Sequence, residues 1–104
     1  MSGYVLSRDA ELDLQELWEH IAEDSVEAAD RLVAKLFDAF ETLAHNPAIG
    51  HKRTDLTSHP VLFWPVGNYL VIYRQKRGRV QIVAVVHGAR HIPRFLRKLR
   101  RSRG

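Results

Sequence analysis

The main change in the hydrophobic period of the chain comes just past residue 46, and that change restricts the fold more than any single motif does. Up to residue 46 the apolar side chains recur every three or four positions. From residue 61 to 87 they arrive in β-branched and aromatic runs. A 3.6-residue stripe does not fit a strand, and a continuous β-branched run favours one. The chain must therefore build a helical unit first and a sheet second, which is the signature of an α+β domain. At 104 residues it has the length for one such domain and one principal core.

Local signals divide the helical half. Tyr4-Val5-Leu6-Ser7 reads as a short strand, with Ser7 placed to cap the helix that follows. Ala10, Leu14, Leu17, Trp18 and Ile21 predict a helix over 8–23, with acidic residues between them. Asp24 and Glu27 have capping-box spacing, so a second helix should open at once. Its seam is Ala29, Leu32, Val33, Leu36, Phe37, Phe40, Leu43 and Ala44, stopped by Asn46-Pro47, where Asn46 accepts a left-handed conformation. So short a link predicts an antiparallel helical hairpin. After a loop over 47–60, strands are predicted at 61–66, 69–74 and 80–87, separated by Gly67-Asn68 and Lys76-Arg77-Gly78. Pro65 cannot donate to a ladder, which puts the first of these strands at an edge. The expected fold is an N-terminal strand, then an antiparallel helical hairpin lying on one face of an antiparallel sheet, completed by a three-stranded C-terminal meander. The domain spans 1–92. Residues 93–104 form a basic helix or tail, with Pro93 suited to a first helical turn and Ile92, Phe95, Leu96 and Leu99 at helical spacing.

Charge follows the same division. Residues 1–46 carry 3 Lys/Arg against 11 Asp/Glu, whereas residues 47–104 carry 13 against 1. A half this basic suits a polyanion or an acidic protein surface. With no cysteine there is no disulfide, no thiol nucleophile and no Cys-based zinc site. No apolar run approaches the roughly 20 residues of a membrane span, and the first residues lack a secretory core, so a cytoplasmic protein is expected. His87 and His91 have i, i+4 spacing but straddle Gly88 with no carboxylate nearby, so neither metal nor cofactor is expected. Glycine-rich phosphate loops, paired carboxylates and Ser/His/Asp orders are absent from the sequence.

An ordered set of words runs through nearly the whole chain to about Phe95. It comprises Tyr4-Val5-Leu6-Ser7 with Ala10 and Asp13-Leu14, Leu17-Trp18, and Asn46-Pro47 with Ile49-Gly50. It continues with Phe63-Trp64 and Val66, Tyr69-Leu70 with Ile72-Tyr73-Arg74, and His87-Gly88-Ala89-Arg90. In this order the chain resembles the ParE branch of the RelE/ParE toxin superfamily. The resemblance implies the fold just described and a toxin of a type II toxin–antitoxin pair. It also implies a ParD-like antitoxin in a hetero-oligomeric complex, and DNA gyrase as the target.

The RelE branch instead cleaves messenger RNA, which requires a base, an acid and cations around the phosphate. Its pattern supplies basic residues near the second strand, but here that region reads Val61-Leu62-Phe63-Trp64-Pro65. Its tyrosine position falls at Phe95-Leu96, and only Arg90 matches the arginine after the last strand. The expectation is accordingly a binding toxin without catalytic residues. An endoribonuclease using Arg74, His87, Arg90 and His91 is the alternative, and a module coating nucleic-acid phosphates is a second, less favoured one. Target contacts are expected from Arg90, Arg94, Arg97, Lys98, Arg100 and Arg101. Antitoxin contacts are expected from Leu36, Phe40, Tyr73, Arg74 and Arg77. Two departures from the ParE pattern stand out, Leu62 in place of an arginine and His91 in place of an aspartate.

Overall fold

The computed structural model describes residues 3–88, 92, 93 and 95–97. Its elements are β1 (Tyr4–Leu6), α1 (Arg8–Ala22), α2 (Val26–His45), β2 (Leu62–Val66), β3 (Tyr69–Lys76) and β4 (Arg79–His87). Ser7 caps α1 as expected, its hydroxyl accepting from the Ala10 N–H. The second cap is Ser25, which accepts from Ala28. The backbone becomes extended at Ser25 (φ −159°, ψ 112°), the geometry of a cap, whereas Asp24 still belongs to the closing turn of α1. The hairpin is fastened across the helices by Trp18 Nε1 donating to Asp30 Oδ1 at 2.8 Å. Asn46 ends α2 at φ −137° and not in the left-handed region, in keeping with the bias of a residue before proline away from helical backbone.

The sheet order is β1-β4-β3-β2. β2–β3 and β3–β4 are antiparallel hairpins, whereas β1 lies parallel to β4, so the sheet is mixed and not wholly antiparallel. Both hairpin turns have two residues. Gly67 alone takes positive φ in the first, and Arg77 and Gly78 both do in the second, the pattern of a type I′ turn. β2 is an edge strand, as Pro65 requires. His51 closes part of that edge by exchanging both backbone hydrogen bonds with Phe63 at 2.8 Å. Together with Pro65 this blunts the edge against strand addition.

Both faces of the sheet are covered, where only one was expected. Val71, Tyr73, Val80, Ile82 and Val85 face the helices, meeting Leu14, Leu17, Leu36, Phe40 and Leu43. Phe63, Ile72, Ala84 and Val86 form a second cluster with Val61 and Phe95, and Leu56, Ile92 and Leu96 pack against it. Phe95 is 7% exposed, so the packed unit runs past residue 92. A bulge in β4 makes the two-sided arrangement possible. Ile72 pairs with Ala84 but Tyr73 pairs with Ile82, leaving Val83 as the extra residue. The parity of β4 shifts there, so Ile82 and Val85 point to the helices while Ala84 and Val86 point away.

Two polar anchors hold the layers together. β1 ends at Leu6, so the outer edge of β4 needs other partners beyond Ile82. The Ser7 hydroxyl donates to the Val83 carbonyl at 2.8 Å, and the Val85 N–H donates to Asp13 Oδ2 at 3.0 Å. The second anchor is Tyr73, whose buried phenol donates to the Pro47 carbonyl at 2.7 Å and accepts from the Gly50 N–H at 2.8 Å. A Cβ at position 50 would lie 2.6 Å from Tyr73 Cε1, so only glycine permits this approach.

Asp13→Ala leaves the buried Val85 N–H without its acceptor and should cost about 1–3 kcal/mol, while Asp13→Asn keeps an acceptor and should cost less. Urea melts of both variants check this, and equal losses would contradict it. Burial pushes the Tyr73 phenol above its ordinary value, partly offset by the Gly50 N–H bond. The folded state therefore holds that proton more tightly, so the contribution is complete below pH about 10 and is lost as pH rises through the raised value. Tyr73→Phe should lower stability by about 1–3 kcal/mol at neutral pH and flatten the alkaline fall in Tm above pH about 10. An unchanged alkaline limb would assign it to other groups.

Candidate functional site

The antiparallel register decides which candidate residues meet. Tyr69 pairs with His87, and the rings contact edge to face at 5.4 Å between centroids. Arg74 pairs with Gln81 and donates from Nε to Oε1 at 2.9 Å. Gln81 lies six positions before His87 along β4, a separation of about 20 Å at 3.3 Å per residue. Arg74 and His87 therefore sit toward opposite ends of the ladder and do not form the cluster that strand adjacency suggested. Arg90, His91, Arg94, Lys98, Arg100 and Arg101 lie outside the described residues. Arg97 is exposed, on the same short helical stretch as Phe95 and Leu96. Arg77 is exposed at the tip of the β3–β4 turn, three positions from Arg74.

Among the described residues, two concave regions flank the sheet. The first is a cleft of 210 Å³ between α1 and the end of β4. Asp13, Glu16 and His20 line one wall, and Tyr69 and His87 the other. Asp13, Glu16 and His20 share one face of α1 at i, i+3 and i+7, and only the fold brings Tyr69 of β3 and His87 of β4 opposite them. Asp13 is already engaged by Val85, which gives this wall a structural task. Among the described residues no group of three or more His, Asp or Glu is arranged to hold a metal ion. The second region is a larger groove of 440 Å³ beside the 52–60 loop and the β2–β3 pair, lined by Lys52, Arg53, His59, Leu62 and Arg74 among others. Arg53 is engaged by Asp55 through paired contacts at 3.0 and 2.8 Å, and that hydrogen bonding holds the Asp55 carboxyl below the ordinary carboxylate range.

The apolar contact residues need correction. Leu36, Phe40 and Tyr73 are completely buried, because the helix stripe and the inward face of β3 are consumed by the main core. They are not available to a partner at the surface. Phe37 is the exposed member of the same stripe, at 38%, and it rests edge-on against Phe40 at 5.4 Å. Phe40 in turn meets Tyr4 at 5.5 Å, so an aromatic row leads from the β1 edge through the core to the surface of α2. Helical spacing puts positions 36, 37 and 40 on one side of α2, and only the packing shows which of them faces outward. Val5, Leu12, Val26 and Ile49 are the other exposed large apolar residues among those described.

Residues 4–92 match the family model described as the ParE toxin of the type II toxin–antitoxin system, parDE. Among solved structures, the chain is similar to one titled as a chromosomal ParDE TA system from P. aeruginosa. The TM-score is 0.70 at 19% identity, covering 84% of this chain and 96% of that chain. At this identity the likeness is one of fold. No curated protein matches significantly. Among the described residues no helix is long and apolar enough to cross a membrane.

The division between Phe37 and Phe40 is directly measurable. Phe40→Ala should cost about 3–5 kcal/mol as a core truncation. Phe37→Ala should stay within about 1 kcal/mol of the parent, since half-exposed apolar surface contributes less. Comparable losses in denaturant melts would overturn this placement.

Proposed function

The chain belongs to the ParE toxin family of type II toxin–antitoxin systems, and on that premise we propose that it arrests growth by binding DNA gyrase and is neutralised by a ParD-like antitoxin. The observation that carries the choice of target is the separation of Arg74 from His87. An RNA-cleaving site needs its acid, base and phosphate cations within hydrogen-bond reach of one phosphate, about 2.6–3.2 Å from the atoms they serve. Two members of the candidate set stand about 20 Å apart along the ladder, and the run from Val61 through β2 to Val66 adds no cation. A toxin that works by surface contact needs no such convergence. Gyrase as target also places the protein in the cytoplasm.

Target contact is assigned to the basic C-terminal segment, residues Arg90, Arg94, Arg97, Lys98, Arg100 and Arg101. Residues 94–104 contain six Lys/Arg and no acid, enough to steer docking onto an acidic protein surface. Antitoxin capture is assigned to Phe37 and to the cationic side chains of Arg74 and Arg77, a half-exposed aromatic with charges to set orientation. Arg90 is followed by His91 where the ParE pattern carries an aspartate, so the sequence lacks the acidic neighbour of that pattern.

Expression of the toxin alone should cause filamentation and DNA damage, with supercoiling inhibited while translation is initially intact. Rapid loss of messenger RNA with normal supercoiling would favour the ribonuclease, and steep salt-dependent DNA binding without toxicity would favour the coating module. Cutting the chain after Ile92 would also remove Phe95 from the second core cluster. The tail is better tested by replacing Lys98, Arg100 and Arg101 with Gln, which should weaken supercoiling inhibition about tenfold and leave the thermal midpoint unchanged. Full inhibition by that variant would remove the tail from the mechanism.

A further inference from the structure

The tip of the β3–β4 hairpin carries local costs that packing does not explain. Leu62 pairs with Tyr73 and Tyr4 with Val80, so Lys76 to Arg79 lie past the ends of both neighbouring strands, as a two-stranded finger. Lys76 and Arg79 are directly opposite in the ladder, and like charges in that position repel. Between them Arg77 takes φ 55°, where a type I′ turn favours Asn, Asp or Gly. All three cations are exposed. Tyr73 and Val80 face the helices, so alternation places Arg74, Lys76, Arg79 and Gln81 together on the opposite face. There Arg74 donates from Nε to Gln81 at 2.9 Å, which orients its terminal nitrogens as a fork for another acceptor. Asp55 is the one acid after residue 46, and it is engaged by Arg53. Among the described residues no ion pair reaches the finger.

We propose that this finger binds the phosphate backbone of duplex DNA, entering the major groove with Lys76, Arg77 and Arg79 on phosphates and the Arg74 fork behind them. Charge supplies the first argument. A row of phosphates turns the Lys76–Arg79 repulsion into a shared attraction, which accounts for cations where local energetics disfavours them. Surface chemistry supplies the second. The exposed large apolar residues among those described are Val5, Leu12, Val26, Phe37 and Ile49, and none lies within 74–79. A protein interface gains most from a buried apolar or aromatic anchor, whereas phosphate contacts need none. No aromatic residue lies within 74–79 to stack an unpaired base, which favours a duplex over a single strand. Shape supplies the third. A major groove about 12 Å wide admits a two-stranded ribbon, while the deep, narrow one of duplex RNA does not. Contacts of this kind are independent of base sequence. Arg77 is also assigned to the antitoxin above, so DNA binding belongs to the free toxin.

The test uses the full chain and fluorescein-labelled probes, read by fluorescence anisotropy over a salt series. The probes are a mixed-sequence DNA duplex, an RNA duplex and an oligo-dT of the same length, and a glutamate oligomer. The DNA duplex should bind most tightly. Lys76→Gln, Arg77→Asn and Arg79→Gln together should weaken it about tenfold or more and lower the slope of log affinity against log salt by about 3. The same triple variant should melt no lower than the parent, because it removes the like-charge pair and puts Asn at the left-handed position. The variant with Lys98, Arg100 and Arg101 replaced by Gln should keep the finger's share of that slope. Unaltered duplex binding by the finger variant, equal or tighter binding of the RNA duplex, oligo-dT or glutamate oligomer, or a lowered melt would each overturn the proposal. Growth arrest on induction is scored separately. DNA binding without arrest would sink the toxin reading and leave the finger standing, whereas arrest without DNA binding would sink only the finger.

Discussion

The arrangement depends on how the outer edge of β4 is satisfied after β1 runs out. β1 has only three residues, and its register with β4 ends at Leu6–Ile82. Beyond that point the backbone of the central strand would be buried with open polar groups, each costing about 1–3 kcal/mol. Ser7 and Asp13 supply a donor to Val83 and an acceptor for Val85. Ser7 therefore has two tasks, capping α1 and pinning that helix to the sheet. The same contacts set the height of α1 on β4, and with it the wall of the cleft that contains Glu16 and His20. The bulge at Val83 lies in the same stretch, so side-chain parity, edge satisfaction and helix placement are decided together.

The second dependence is on the Tyr73 phenol, which ties the loop entering at Pro47 to the middle of the sheet. The chain must cross from the end of α2 to β2, and with Tyr73 completing two backbone partners it does so over a defined path. That path delivers His51 to the edge of β2 and then the 52–60 loop to the rim of the basic groove. A buried hydrogen-bond pair thus helps to position the cations at the surface. Its glycine partner has no substitute, since any side chain at position 50 would meet the tyrosine ring.

Much of this was legible from residues alone. The period change, Ser7 as a cap, Pro65 at an edge and Gly67 and Gly78 in tight turns follow from local sterics and hydrogen bonding, which do not wait for distant partners. The shortfalls were tertiary. Asp24 and Glu27 had the spacing of a cap, yet Ser25 took the role because the backbone becomes extended only there. Leu36 and Phe40 belonged to the right stripe, but the sheet buried them and left Phe37 outside. Arg74 and His87 were close in strand order, and the antiparallel register carried them to opposite ends.

What the sequence determined by itself is the α+β order, the acidic helical hairpin before a basic sheet, and the family to which those ordered words belong. These are properties of periodicity and composition along one dimension. Only the tertiary structure decided the parallel β1–β4 pairing, the parity shift at Val83, the second covered face and the groove between the loop and β3. Each of these depends on a register or a contact between residues tens of positions apart. Local propensity carries no information about such pairings, because their free energy exists only once both partners have been brought together.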